Sequence, residues 1–246
     1  ALIMLFAPDY RTRRVEVTGS RDVKPGLKET LGYIADNRTL QLIYLAQLPI
    51  TAYIMACGIW GPTFFVRQYQ LSLAEAAGAV GIITIIAGIG ALAGGYLSDR
   101  ASRNNPRGRI TVCLWYLAIP LVLHSVAIFG SMYGLSWPVF VVCYGAGQFF
   151  GAANWGTLVA AGLDLSPPHY RATVQSFLPL FQAVAALGAG IVSGLLSDRF
   201  GLAPTIGAFL VIGMVSGLFL LGAARKTYER DFRRKEALGR FAVDVE

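Results

Sequence analysis

The sequence predicts an all-α membrane protein of six transmembrane helices arranged as a 3+3 inverted repeat, and three observations predict it. First, six apolar segments run from about Leu40 to Val66, Leu73 to Leu97, Ile110 to Met132, Trp137 to Leu163, Ala172 to Leu196 and Thr205 to Ala224. Each is long enough to cross a bilayer as a helix, and the longer ones should tilt. Second, 19 of the 21 lysines and arginines fall in connectors on one side, against only Arg67 and Arg199 on the other. Cytoplasmic loops carry the excess of Lys and Arg, so both ends of this chain are expected in the cytoplasm. Third, Gly95-Tyr-Leu-Ser-Asp-Arg100 returns 99 residues later as Gly194-Leu-Leu-Ser-Asp-Arg199, matching at five of six positions. The copies close the second and fifth spans, the middle members of two three-helix units. An odd number of spans separates those units, so one copy faces the cytoplasm and the other the outside.

Composition agrees with a bilayer as the solvent. The chain is 55% hydrophobic and 14% charged, where a soluble domain carries about 25% charged residues. The net charge of +7 follows membrane orientation, and no basic face with interleaved aromatics points to nucleic acid. Cys57, Cys113 and Cys143 each sit alone in an apolar run, without the spacing of a metal site or a disulfide framework. They read as inert buried thiols, and no cofactor is expected.

Taken in order, residues 1–8 are apolar but lack a basic n-region, so they do not form a signal peptide. Eight helical residues reach about 12 Å, short of the roughly 30 Å hydrocarbon core. They read as the end of a truncated span, and the chain is expected to be a piece of a longer protein. Residues 9–37 form a polar cytoplasmic connector. Within it Leu27, Leu31 and Ile34 recur at helical spacing, giving either a short interfacial helix after Pro25-Gly26 or a solvated linker. Residues 38–224 hold the bundle, with Pro49, Pro120 and Pro179 inside spans, where each permits a kink. Small-residue pairs at Gly90/Gly94, Gly147/Gly151, Gly190/Gly194 and Gly213/Gly217 allow close helix approach. Residues 225–246 are a mixed-charge cytoplasmic tail, expected to be a helix that frays.

The stretch from Gly90 to Arg109 carries the densest signal. Asp99 lies at a helix C-terminus, where the macrodipole disfavours an anion, so it calls for neighbouring arginines or an opposing helix N-terminus. The residues Gly95, Asp99, Arg100, Arg103, Arg107 and Arg109 resemble the G-x-x-x-D-R-x-G-R-R/K loop motif of the major facilitator superfamily. They depart from it at Ser102, where the motif has glycine, and at Asn104-Asn105-Pro106, which lengthen the loop. Together with Trp60-Gly-Pro-Thr-Phe-Phe-Val-Arg-Gln-Tyr-Gln-Leu-Ser-Leu-Ala-Glu-Ala and Gly188-Ala-Gly-Ile-Val-Ser-Gly-Leu-Leu-Ser-Asp-Arg, the chain is most similar to the spinster-like branch. The resemblance implies the C-terminal six-helix half of a twelve-helix carrier, with a missing N-terminal half as partner. It also implies a conformational latch at the Asp99 motif, with Gly194, Asp198 and Arg199 as its repeat counterpart.

The same resemblance sets the first and fourth spans along a central cavity. Tyr144, Gln148 and Trp155 share one face of the fourth span, with Asn154 at its edge. On the first, Gln47 and Thr51 share a face with Tyr44, while Tyr53 and Trp60 occupy another. Gln175 and Gln182 flank Pro179. Amides inside a bilayer pair with one another or face water, so these are substrate-cavity candidates or interhelical bonds that hold the bundle. His124 reads as a packed or hydrogen-bonded histidine. Acids sit only at span ends, so a proton-coupled mechanism would take its carboxylate from the other half.

No catalytic constellation, H-E-x-x-H or P-loop is present, which argues against an enzyme or an ATP-driven pump. The expected activity is secondary active or facilitative transport of a small organic or amphipathic, lysolipid-like solute by alternating access in a bacterial inner membrane. The residues leave proton coupling open. They also leave a non-transporting scaffold, or a carrier of sugars, organic anions or drugs.

Overall fold

The computed structural model describes residues 26–103 and 105–244, with side chains as far as Lys235. The expected span end at residues 1–8 and the first part of the connector lie outside the described residues. The described residues fold as seven helices: α1 (Leu27–Asp36), α2 (Arg38–Tyr69), α3 (Leu73–Ser102), α4 (Gly108–Met132), α5 (Trp137–Asp164), α6 (Arg171–Phe200) and α7 (Leu202–Asp244).

Local chemistry sets the helix ends. The Asn37 side chain accepts from the Leu40 amide at 3.0 Å and starts α2, satisfying one donor that the first turn leaves without a partner. Ser72 and Glu75 form a capping box at α3, and Pro138 sits in the first turn of α5, where its missing N–H costs nothing. Gly201, at φ 86°, ends α6, a conformation that glycine adopts without a Cβ penalty. Pro49 and Pro62 in α2, Pro120 in α4 and Pro179 in α6 lie within continuous helices.

Among the described residues five helices are long and apolar enough to cross a membrane: α2, α3, α4, α6 and the 202–235 part of α7. Of the six expected spans the fourth, α5, falls short of that measure: its 28 residues reach about 42 Å but include Gln148, Asn154 and five glycines. Its polarity is tolerated because α5 is wedged between α3 and α4, with Asn154, Gly145 and Gly147 buried. Helix α7 does not stop near Ala224. It runs unbroken for 43 residues from Leu202 to Asp244, and Tyr228 and Asp231, beyond Ala224, are buried.

The connector's two alternatives resolve in favour of a helix. In α1, Thr30 is buried while Leu27 and Leu31 point outward. Tyr33 stacks on Tyr170 at 4.9 Å and donates to the Leu165 carbonyl, so α1 is tied to the α5–α6 connector.

In the bundle α3 packs on α5, α6 on α2, α4 on α5, α7 on α2, and α4 on α7. Close approach is concentrated at α3 and α5: a Cβ on Gly90 would overlap the Phe149 backbone, and one on Gly94 would overlap Ala153. The core runs through Leu40, Ile43, Ile50, Leu117, Leu158 and Leu210. Coverage is uneven. Half of the apolar window of α2 is buried, but only 22% of that of α3 and 17% of that of α6.

Candidate functional site

The motif stretch builds a charge cluster where the ends of α3 and α5 meet the start of α4. A Cβ on Gly108 would overlap the Ala101 carbonyl, so α4 begins hard against the last turn of α3 and presents Arg109 to it. The Arg109 guanidinium, 8% exposed, donates from Nη1 to Asp99 Oδ1 at 2.8 Å and from Nε to Asp164 Oδ2 at 2.8 Å. It also donates to Ser98 Oγ and Ser102 Oγ, both at 3.2 Å. One planar, permanently charged fork therefore answers two carboxylates and two hydroxyls, a geometry that a lysine could not reproduce. It also supplies the arginine partner that an acid at the end of α3 requires.

The other motif residues are placed differently. Arg107 turns away to Glu229 of α7 at 2.8 Å, which also holds Arg233. Arg100 and Arg103 are exposed and make no ion pair among the described residues. A Cβ on Gly95 would meet nothing, so that glycine lies on an open face. At the repeat counterpart, Asp198 and Arg199 are both exposed without an ion pair among the described residues, and a Cβ on Gly194 would touch only Trp60, at 3.4 Å.

Two parts of this region escape a reading of the sequence. Asp164 stands there only as a span-end acid. The available signal is parity, because α3 and α5 end on the same side of the bundle. The other is Asp231, 3% exposed, which accepts from the Thr39 amide at 2.9 Å and the Thr39 hydroxyl at 2.7 Å and pairs with Arg230 at 3.0 Å. Arg234 reaches Asp36 at 3.1 Å. The continuation of α7 is thus tied to α1, to the start of α2 and, through Glu229, to the α3–α4 loop.

Deeper in the bundle lies an uncharged network. The Tyr53 hydroxyl is 2.9 Å from His124 Nδ1 and 3.4 Å from the Tyr144 hydroxyl. His124 Nε2 is 3.2 Å from the Tyr144 carbonyl, and the two rings stack at 4.2 Å. Gly147 makes room for this, since a Cβ there would overlap the imidazole.

Of the cavity candidates, Gln47, Thr51, Tyr53, Tyr144 and Asn154 are buried inside the bundle. The Gln47 amide nitrogen, the Thr51 hydroxyl and Asn154 Oδ1 find no hydrogen-bond partner among the described residues. Trp60 donates to Ser193 Oγ at 2.9 Å, and Gln175 donates to the Val159 carbonyl at 2.7 Å. Both act between helices. Trp155 is exposed. Gln148 lines a cavity of about 180 Å3 between α2, α3 and α5, and Gln182 lines another of about 280 Å3 with Thr51 and Pro179. The described residues contain no group of three or more His, Cys, Asp and Glu that could hold a metal.

Comparison with known proteins gives a consistent result. A family model described as Major Facilitator Superfamily matches residues 1–189. A probable 4-methylmuconolactone transporter of Cupriavidus pinatubonensis (strain JMP 134 / LMG 1197) is 29% identical over 202 residues, covering 76% of this chain and 42% of that protein. Among solved structures, a bacterial homolog of the human lysosomal transporter Spinster, inward-facing and unoccupied, superposes with a TM-score of 0.61 at 18% identity. That match covers 85% of this chain and 51% of the other. The occupied inward-facing form gives 0.57 at 17% identity, covering 81% and 50%. The chain thus spans about half the length of the solved relatives it matches.

Proposed function

The chain belongs to the major facilitator superfamily, and on that premise we propose that it is the C-terminal six-helix half of a twelve-helix carrier. The carrier moves a small organic or amphipathic solute by alternating access, as a secondary active or facilitative transporter. The observation that carries this reading is the Asp99–Arg109–Asp164 cluster. Two carboxylates share one arginine, and the Asp99 side chain stays 66% exposed, with one oxygen left for a partner outside the chain. A cluster that is complete on one side and open on the other suits a latch that engages a second body and releases it.

The sparsely covered apolar windows of α3 and α6 support that second body, the N-terminal half, as the partner of these faces. Support for the 3+3 arrangement comes from the packing: exchanging α2 with α5, α3 with α6 and α4 with α7 carries α2–α7 onto α4–α5, α3–α5 onto α2–α6 and α4–α7 onto itself. In this reading α5 is the fourth of six spans. The orientation is that of the cation count, with the Arg109 cluster and the end of α7 in the cytoplasm, and the membrane is the bacterial inner membrane.

For the substrate, the similarity to a 4-methylmuconolactone transporter favours a small organic molecule, while the fold shared with the Spinster homolog keeps a lysolipid-like solute in the panel. The test is uptake by the reconstituted carrier that contains this chain, against small ring lactones, lysolipids, sugars and drugs, with and without a proton gradient. Saturable uptake of at least one class, competed by its analogues, is the expected result. A well-inserted protein that moves none of them leaves the scaffold reading in its place.

A further inference from the structure

The cavity of about 180 Å3 is walled by Phe64, Phe65, Ile83 and Phe140, and its polar contacts come from Cys57, Thr84, Tyr144 and Gln148. Thr84 spends its hydroxyl on the Val80 carbonyl at 2.9 Å. Gln148 hydrogen-bonds to no described side chain or carbonyl, so an amide stands free at an apolar wall inside a membrane bundle. Such a group pairs with water or with a ligand. No cation and no acid lines the space.

The hydrogen bonds behind this wall have a fixed direction. The Tyr144 carbonyl can only accept, so His124 Nε2 carries a proton. The imidazole is fully buried and hydrogen-bonds to no carboxylate among the described residues, so it stays neutral and offers Nδ1 as an acceptor. Tyr53 therefore spends its one proton on Nδ1. The Tyr144 hydroxyl, 3.4 Å away, stands on the accepting side of its contact with Tyr53, so its own proton is not spent there. What remains at the wall is the Tyr144 hydroxyl, a donor as well as an acceptor, beside the weak S–H donor of Cys57 and the Gln148 amide.

From this we infer that the cavity binds a small neutral ring bearing one hydroxyl, which hydrogen-bonds to the Tyr144 hydroxyl on one side and to the Gln148 amide on the other. An apolar cavity of about 150 Å3 takes benzene, so this one has room for a ring and a single small substituent. Aromatic walls favour a ring over an acyl chain, and the absence of a lining cation disfavours a carboxylate. The inference names a solute class for the carrier proposed above, but binding is measured without turnover, so it stands or falls separately from transport.

The experiment is calorimetric binding of phenol, benzene and benzoate to the full carrier in lipid nanodiscs, with empty nanodiscs subtracted. Phenol is expected to bind about three- to tenfold tighter than benzene, the worth of one or two neutral hydrogen bonds, and benzoate not at all. Tyr144→Phe should bring phenol down to the affinity of benzene while leaving benzene unchanged, which also reports that the cavity is intact. Gln148→Leu should lower phenol alone. Gly58 lies on the cavity with nothing within 4 Å of a Cβ, so Gly58→Leu should fill the space and abolish both. Equal binding of phenol and benzene to the unmodified carrier overturns the inference. So does a preference for phenol that survives both Tyr144→Phe and Gln148→Leu, and so does binding that survives Gly58→Leu.

Discussion

Asp99 and Asp198 occupy the same place in two copies of one short motif, yet their surroundings differ. Asp99 meets the buried Arg109 at 2.8 Å, and Arg109 holds Asp164 as well. Asp198 and its neighbour Arg199 stand exposed. The motif itself ends α3 and α6 in the same way, so the difference arises downstream in the chain. After α3 the chain needs five residues to reach α4 and then delivers Arg109. After α6 only Gly201 intervenes, and α7 opens with Leu-Ala-Pro. The helices repeat the asymmetry, for α3 touches α5 backbone to backbone at Gly90 and Gly94, whereas Gly190 and Gly194 meet only side-chain tips of Ile59 and Trp60 at 3.3 and 3.4 Å. A repeated motif preserves a helix end, and the downstream partner decides whether that end does chemistry.

That contrast can be broken at several strengths. The largest effect on stability is expected at the helix contact. Gly94→Ala forces a Cβ into Ala153 and should cost about 2 kcal/mol, whereas Gly194→Ala has ordinary contact distance and should be neutral or stabilising by up to about 1 kcal/mol through helix propensity. Thermal unfolding of the purified protein should therefore move to lower temperature for Gly94→Ala and not for Gly194→Ala, and equal shifts would erase the difference between the two helix contacts.

Next comes the charge. Arg109→Ala leaves two carboxylates without their partner and should cost about 1–2 kcal/mol, discounted because Asp99 is well exposed. Arg199→Ala should stay within about 0.5 kcal/mol, as an exposed unpaired residue does. Smallest is Glu229→Gln, which loosens the exposed Arg107 pair and should cost no more than about 0.5 kcal/mol. Its clearer readout is faster proteolysis of the loop at residues 103–107.

The apolar spans were legible because a bilayer demands long uninterrupted runs, and five helices meet that demand on composition alone. Helix α5 was readable by length but not by its environment. Averaged hydropathy cannot say that Asn154 is buried or that Gln148 faces a cavity, or that Gly147 exists to seat His124. The α7 continuation was opaque for the opposite reason. A mixed-charge segment looks equally soluble as a frayed tail or as a packed helix, and only the pairing of Asp231 with Thr39 distinguishes them. In the charge cluster, Asp99 and Arg109 could be named from spacing, whereas Asp164 sits 55 residues from Arg109 and enters only when α5 is folded against α4. Tyr53 and Tyr144 stand out in the sequence as cavity residues, but it offers no means of seeing that the Tyr53 hydroxyl turns toward both His124 and Tyr144.

In the proposed carrier the Asp99 end switches and the Asp198 end does not. The most direct test is the initial uptake rate of the reconstituted full-length carrier bearing Asp99→Asn, set beside the same carrier bearing Asp198→Asn at matched insertion. The account predicts a fall of about tenfold for the first, the worth of about one charge-assisted hydrogen bond in the latch, and a change of less than about twofold for the second. Wild-type uptake by Asp99→Asn, or an equal loss in both variants, would contradict it.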